Sequence, residues 1–181
     1  MEKIFKTIQE SEVLLSELML PSNSNFRGNV HGGYVLSLMD KIAFACASKH
    51  SKHYCVTASV DTVDFMNPIG IGELLTMKAS INYVGKSSMI VGIRVESENI
   101  QTGEKKHCNS SYFTMVAKDE KGNSALVPGL VLITENEKRR FIKCAHRLEA
   151  KKSKIKQFSK TDFDSAKYTE EFKQYNVQIL A

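Results

Sequence analysis

Hydrophobic positions along the chain change period once, and the change divides it. Val13 to Leu20 reads as a short first strand. Between Gly32 and His50, Leu36, Met39, Ala43, Cys46 and Ala47 recur at three- and four-residue spacing and so share one helical face. From Tyr54 a period of two takes over. Val56, Ala58, Val60 and Val63 stand among Thr57, Ser59, Asp61 and Thr62, which predicts a strand from Tyr54 to Phe65, stopped by Asn67-Pro68. Glu73 to Val84 and Ser88 to Glu98 are rich in β-branched residues and flank Gly85-Lys86-Ser87, the pattern of an antiparallel pair joined by a short turn. A further strand is expected from Lys105 to Lys118, a turn from Lys118 to Gly122 and a connection from Leu126 to Leu132 around Pro128-Gly129. A helix is expected from Glu135 to about Gln157. One long helix followed by long antiparallel strands has to be wrapped by them. From Gly32 to His50 it would run roughly 28 Å, the length of strands of about ten residues. The expected class is α+β, a central helix in a curved antiparallel sheet with a C-terminal helix.

Length narrows this to one core. The chain has 181 residues, enough for a single domain over 1–158 with a tail over 159–181 that is at best partly ordered. No apolar run approaches the roughly 20 residues of a spanning helix. Glu10, Glu12 and Glu17 interrupt the first twenty residues, unlike a signal peptide, so the expected location is the cytoplasm and no membrane partner is expected. Cys46, Cys55, Cys108 and Cys144 stand far apart without a C-x-x-C pair, which suits reduced thiols and suggests no metal site.

Charge is unevenly placed. The net charge is +5, and from Lys138 to Lys160 the basic residues, Arg139 and Arg140 among them, are opposed only by Glu149. Such a run is either a solvated helix face or a surface for phosphates. No aromatic stacking motif or apolar face accompanies it, so neither RNA nor a membrane is an expected partner.

The candidate chemistry lies in the loop and helix from Leu20 to Asp40. Asp40 projects from or beside an apolar stripe, where a desolvated carboxylate costs several kcal/mol (order of magnitude) unless it is paired or used. It either satisfies a buried donor or does chemistry. Gly32-Gly33 open the helix, where unpaired N–H groups suit a developing oxyanion, or serve only a tight turn. The chain has no G-x-S-x-G elbow, which argues against a serine triad of that kind.

Taken together, Pro21, Asn25, Gly28, Gly32-Gly33, Met39-Asp40, Val56-Thr57, Asp61, Phe65, Pro68, Gly72 and Gly85-Lys86-Ser87-Ser88 resemble the hotdog-fold acyl-CoA thioesterases, in the branch of YciA-like and cytosolic acyl-CoA hydrolases. The likeness runs over roughly residues 11 to 150. It implies hydrolysis of acyl-CoA to fatty acid and CoA, with no cofactor beyond the coenzyme A carried by the substrate. It implies Asp40 as base or nucleophile, Asn25 facing it across a subunit interface, and a backbone amide, preferably Gly33's, polarising the thioester carbonyl. Gly85, Lys86, Ser87 and Ser88 would receive the coenzyme's phosphates, with Arg139 and Arg140 adding charge from another subunit. His31 is expected to pack or hydrogen-bond rather than act as a base, and Asp61 is left as a solvated carboxylate. A homo-oligomer, at least a dimer and commonly three dimers, follows from a shared site. The alternative is a non-catalytic acyl-CoA-binding regulator of the same fold, for which the short N-terminal segment leaves no room for a DNA-binding domain.

Overall fold

The computed structural model describes residues 4–157, 164–172 and 174–178. The order of elements is β1 (Phe5–Thr7), β2 (Val13–Leu18), α1 (Gly32–Ser51), β3 (Tyr54–Val60), β4 (Leu74–Val84), β5 (Ser88–Glu98), β6 (Lys105–Lys118), β7 (Gly129–Val131), α2 (Glu135–Gln157) and α3 (Thr169–Phe172), with 3-10 turns at Pro21–Asn23 and Ser165–Tyr168. Five strands form one antiparallel sheet in the order β2-β4-β5-β6-β3, the curled half-barrel of a hotdog fold, and α1 packs against all five. Register shifts between Thr57 and Ser59, Ile81 and Tyr83, and Val95 and Glu96 mark irregularities of the kind that bend a sheet.

Alternation along the strands decides what the helix touches. Leu75, Met77, Ala79 and Ile81 of β4, Met89, Val91, Ile93 and Val95 of β5, and Phe113, Met115 and Ala117 of β6 are buried in one core with Val35, Leu38, Met39, Ile42, Cys46 and Ala47 of α1. The opposite face of the sheet carries Lys78, Ser80, Asn82, Arg94, Ser110 and Tyr112. A sheet polar on one side and apolar on the other fixes strand register, because a one-residue slip would bury the wrong set.

Two expectations change. The predicted Tyr54 to Phe65 strand ends at Val60, and beyond it the chain touches β6 only at intervals: the Asp61 N–H donates to Tyr112 O, and Met66 N–H to Cys108 O. The expected connection from Leu126 to Leu132 contains β7, which pairs parallel with β1. Three-residue strands carry too little periodicity to stand out from a sequence.

The described residues fall into two compact units, Met1–Cys144 and Ala145–Ala181. The first holds the sheet, α1 and the start of α2. The second holds the rest of α2, the turn at Ser165–Tyr168 and α3. The division lies inside α2, and much of the expected tail over 159–181, Lys160 included, lies outside the described residues. Helix α2 begins on a capping box: the Thr134 hydroxyl accepts from the Glu137 N–H at 3.3 Å, and Glu137 accepts from the N–H groups of Ile133 and Thr134 at 2.6 and 3.1 Å.

Candidate active site

The loop before α1 is tied down by backbone bonds from Val30 N–H to Ile69 O (2.8 Å) and from His31 N–H to Asn23 O (2.8 Å). Within it Asn25 makes an Asx turn. Its Oδ1 accepts from the N–H groups of Arg27 at 2.9 Å and Asn29 at 3.2 Å, which leaves the side-chain NH2 as the group it can offer elsewhere. Beside it Phe26 is fully exposed.

His31 is the N-cap of α1, and its Nδ1 accepts from the Gly33 N–H at 2.9 Å. The hydrogen-bonding role expected of this histidine is the one it has. The same bond bears on Gly33: its N–H is engaged by the ring, whereas the Gly32 N–H has no partner among the described residues. Gly32 lets the Phe65 ring lie close, because a Cβ on it would stand 3.3 Å from that ring. One turn on, Tyr34 donates its hydroxyl to Glu17, and that bond raises the phenol's pKa above the ordinary range, with burial adding to it.

Asp40 sits two turns further along α1, on the flank of the buried stripe. The expected desolvation is not found within the single chain: Asp40 is exposed. Its Oδ1 accepts a 2.6 Å hydrogen bond from the Thr57 hydroxyl of β3. Thr57 was not singled out as a site residue, although its alternating position faces α1. Sequence alone does not say which turn of a helix a strand residue will meet. Around the pair lie exposed aromatic groups, with Phe44 and Tyr54 edge-to-face at 5.5 Å between ring centroids. Strand β3 is an edge strand, paired with β6 on one side only. Asn25 and Asp40 make no hydrogen bond to each other within the chain.

The turn at Gly85 to Ser88 is built from backbone. Gly85 N–H donates to Ser88 O at 2.7 Å, and the carbonyls of Lys86 and Ser87 accept from Val127 and Ala117. Ser88 lies opposite Val116, which lies opposite Val56, so the turn stands in the row beside that of Thr57, Met115 and Met89. At 4.7–4.9 Å between strands, this puts it about 10 Å across the sheet from β3. Arg139 and Arg140 are elsewhere. They line a groove over the polar face of the sheet, and Gly85 to Ser88 do not line it.

None of the four cysteines forms a disulfide and all are buried, and burial pushes the Cys46 thiol up to about 12. A thiol held that far from ionisation is no nucleophile. Among the described residues no helix is long and apolar enough to cross a membrane.

Comparison with known proteins agrees with the geometry. The thioesterase superfamily profile matches residues 27–104. Protein VdlD of Helicobacter pylori is 47% identical over 135 residues, 75% of this chain and 77% of that protein. YkhA of Bacillus subtilis, described as an uncharacterized acyl-CoA thioester hydrolase, is 36% identical over 129 residues, 71% of this chain and 75% of its own. An apo-hexameric acyl-CoA thioesterase superimposes with a TM-score of 0.82 at 36% identity, covering 84% of this chain and 97% of the other. The acyl-CoA hydrolase of Staphylococcus aureus, solved with butyryl coenzyme A, coenzyme A and coenzyme A disulfide, gives 0.78 at 29% identity, covering 94% and 99%. Its variants with an asparagine, an aspartate or a threonine replaced by alanine are also similar. The chain belongs to the hotdog-fold thioesterase superfamily, and within it to the acyl-CoA thioester hydrolases.

Proposed function

We propose that the chain hydrolyses acyl-CoA to a free carboxylic acid and coenzyme A at a site shared between two subunits, with Asp40 as its central group. The observation that carries this reading is the Asp40–Thr57 pair, an acid held by one oxygen beside an open sheet edge. The bond fixes the carboxylate and leaves Oδ2 free. As a base, Asp40 takes a proton from water while the water oxygen attacks the thioester carbonyl. As a nucleophile, Oδ2 attacks that carbon directly to form an acyl anhydride, which water then cleaves to release the acid and restore the carboxylate. Either way the carbon–sulfur bond breaks and the electron pair leaves on sulfur. A thiol of pKa about 8.5 leaves without a strong general acid.

The carbonyl oxygen needs donors where its charge develops. The start of α1 supplies them: the Gly32 N–H is open, and the Gly33 N–H becomes available once His31 turns away. Asn25 of a second subunit adds its side-chain NH2. Spacing supports this set. The substituted positions of the S. aureus hydrolase are fifteen and seventeen residues apart, as are Asn25, Asp40 and Thr57 here.

A second subunit is argued from the surface as well. An unpaired β3 edge with Phe44, Tyr54 and Val60 exposed beside it is what another copy would cover. Covering it would take Asp40 out of bulk water. Similar proteins include a hexamer, so a dimer is the least assembly and three dimers the fuller one. The coenzyme's phosphates go to the turn at Gly85, Lys86, Ser87 and Ser88; Arg139 and Arg140 can serve only a coenzyme held by a neighbouring subunit. Four cysteines without a disulfide among them suit the reducing cytoplasm, where we place the reaction.

The test is release of CoA thiol across an acyl-CoA series by wild type, Asp40→Ala, Asn25→Ala and Thr57→Ala. The Asp40 and Asn25 variants are expected to stay folded and lose most turnover. Full activity in Asp40→Ala would overturn the mechanism.

A further inference from the structure

The polar face of the sheet carries a groove of about 530 Å3, and neither Asp40 nor the turn at Gly85 to Ser88 lines it. Its floor is polar and recessed. Ser80 and Asn82 are more than nine-tenths buried, and the Ser80 hydroxyl donates to Asn82 Oδ1 at 3.1 Å. Gly92 opposite has no side chain, and the Asn82 amide fills its place: a Cβ there would fall 2.2 Å from Asn82 Nδ2. Ser110 and Tyr112 continue the floor.

The walls are cationic. Lys78, Arg94, Arg139, Arg140 and Lys143 line the groove, with Glu12 the one acid in its lining. Glu96 pairs with both Lys78 (2.9 Å) and Arg94 (2.8 Å). Those two hydrogen bonds hold its carboxyl down to about 2, so it stays charged and largely cancels them. On α2 the balance differs. Arg139 is held by Asn136 Oδ1 at 2.7 Å, a neutral acceptor, and Arg140 and Lys143 have no hydrogen bond or ion pair among the described residues. Three adjacent cations thus stand over a floor of hydroxyls and an amide, and the sheet separates them from Asp40 on α1.

We infer that this groove is a second ligand site, separate from the thioesterase site, that takes a small anion carrying adjacent phosphate groups. Diphosphate oxygens accept from Arg140 and Lys143 on one side and from the Asn82 NH2 and the Ser110 hydroxyl on the other, a pairing of charge-assisted and neutral hydrogen bonds. The volume lies in the range of small-molecule sites and leaves room for an organic group on the diphosphate.

Calorimetric titration of the intact protein with inorganic pyrophosphate, and then with ADP, tests this against Lys143→Glu and against Lys121→Ala, a change in an exposed turn outside the groove. The expected result is binding to wild type that weakens with salt and falls by roughly tenfold or more in Lys143→Glu, with Lys121→Ala unchanged. Asp40→Ala is expected to bind pyrophosphate as wild type does, so failure of the proposed reaction leaves this result standing. KM for acyl-CoA is expected to be unchanged in Lys143→Glu. A rise in KM matching the loss of pyrophosphate binding would make the groove part of a neighbour's coenzyme site and overturn the inference. So would no binding by wild type, or a change in oligomeric mass of Lys143→Glu without binding, which marks a contact between copies.

Discussion

The two ends of α1 are finished by histidines in opposite ways. At the start, His31 is exposed and accepts from the Gly33 N–H. At the end, His50 is fully buried, its Nε2 set 3.1 Å from Pro128 O, which fixes Nε2 as the protonated nitrogen and leaves Nδ1 buried without a partner among the described residues. The Lys6 ammonium donates to the His50 carbonyl at 2.6 Å and closes that end. One end holds its hydrogen bonds at the surface, where they can exchange with water. The other is sealed in the core. A single helix therefore carries an exchangeable region and a sealed one, and, with Asp40 acting as proposed, variants in the two should separate activity from folding.

The largest effect belongs to the exchangeable half. Asp40→Asn is expected to lower turnover by roughly 10²–10⁴-fold with an unchanged melting temperature, because an exposed carboxylate contributes little to folding. Steady-state kinetics beside calorimetry read both, and a fall in melting temperature matching the lost activity would erase the contrast. Next comes His50→Ala, expected to cost about 2–4 kcal/mol in denaturant unfolding through the cavity it leaves, with kcat per folded molecule retained.

A pH effect sharpens the same end. Burial lowers the His50 pKa below its ordinary 6.5, with Lys6 working in the same direction against the Pro128 bond and Glu10. The unfolded chain takes up a proton near 6.5 that the folded chain refuses. Stability is therefore full above that pH and is lost as pH falls from there to the folded value. Wild type should melt progressively lower as the buffer goes from neutral to moderately acid. The His50→Gln variant should show a flatter profile over that interval, and an equally steep one would refute the assignment.

Two smaller effects follow. Losing the cap in His31→Ala should cost about 1 kcal/mol, with His31→Asn recovering most of it. Lys52, the C-cap, adopts φ 62, so Lys52→Gly is expected to stabilise the protein by about 0.5–1 kcal/mol and leave kinetics untouched.

Most of the fold was legible. The stripe from Leu36 to Ala47 and the alternation in β4, β5 and β6 place these elements within a residue or two, because burial on one face imposes a period on the chain. Val63 and Phe65 continue the alternation of β3 past its end, since they follow a neighbour without joining its ladder. Asp40 was legible as an anomaly, yet its exposure was not, for a sequence shows that a residue flanks a stripe but not how far the sheet extends over that flank. Thr57 and the His31–Gly33 bond needed the packing of helix on strand and the loop's closure. Arg139 and Arg140 were read as charge for a coenzyme, and only the path of α2 puts them over the polar face of the sheet.

By itself the sequence determined which residues form the helix and most of the strands, and which face of them is apolar. These are local properties, fixed by periodicity and backbone preference. The tertiary structure alone decided that Asp40 meets Thr57 at an open edge, that His31 holds the Gly33 amide, and that three cations gather over Ser80 and Asn82. Each of these joins residues distant in sequence or set by a turn of backbone, and only the folded chain brings such partners within the 3 Å or so at which a hydrogen bond forms.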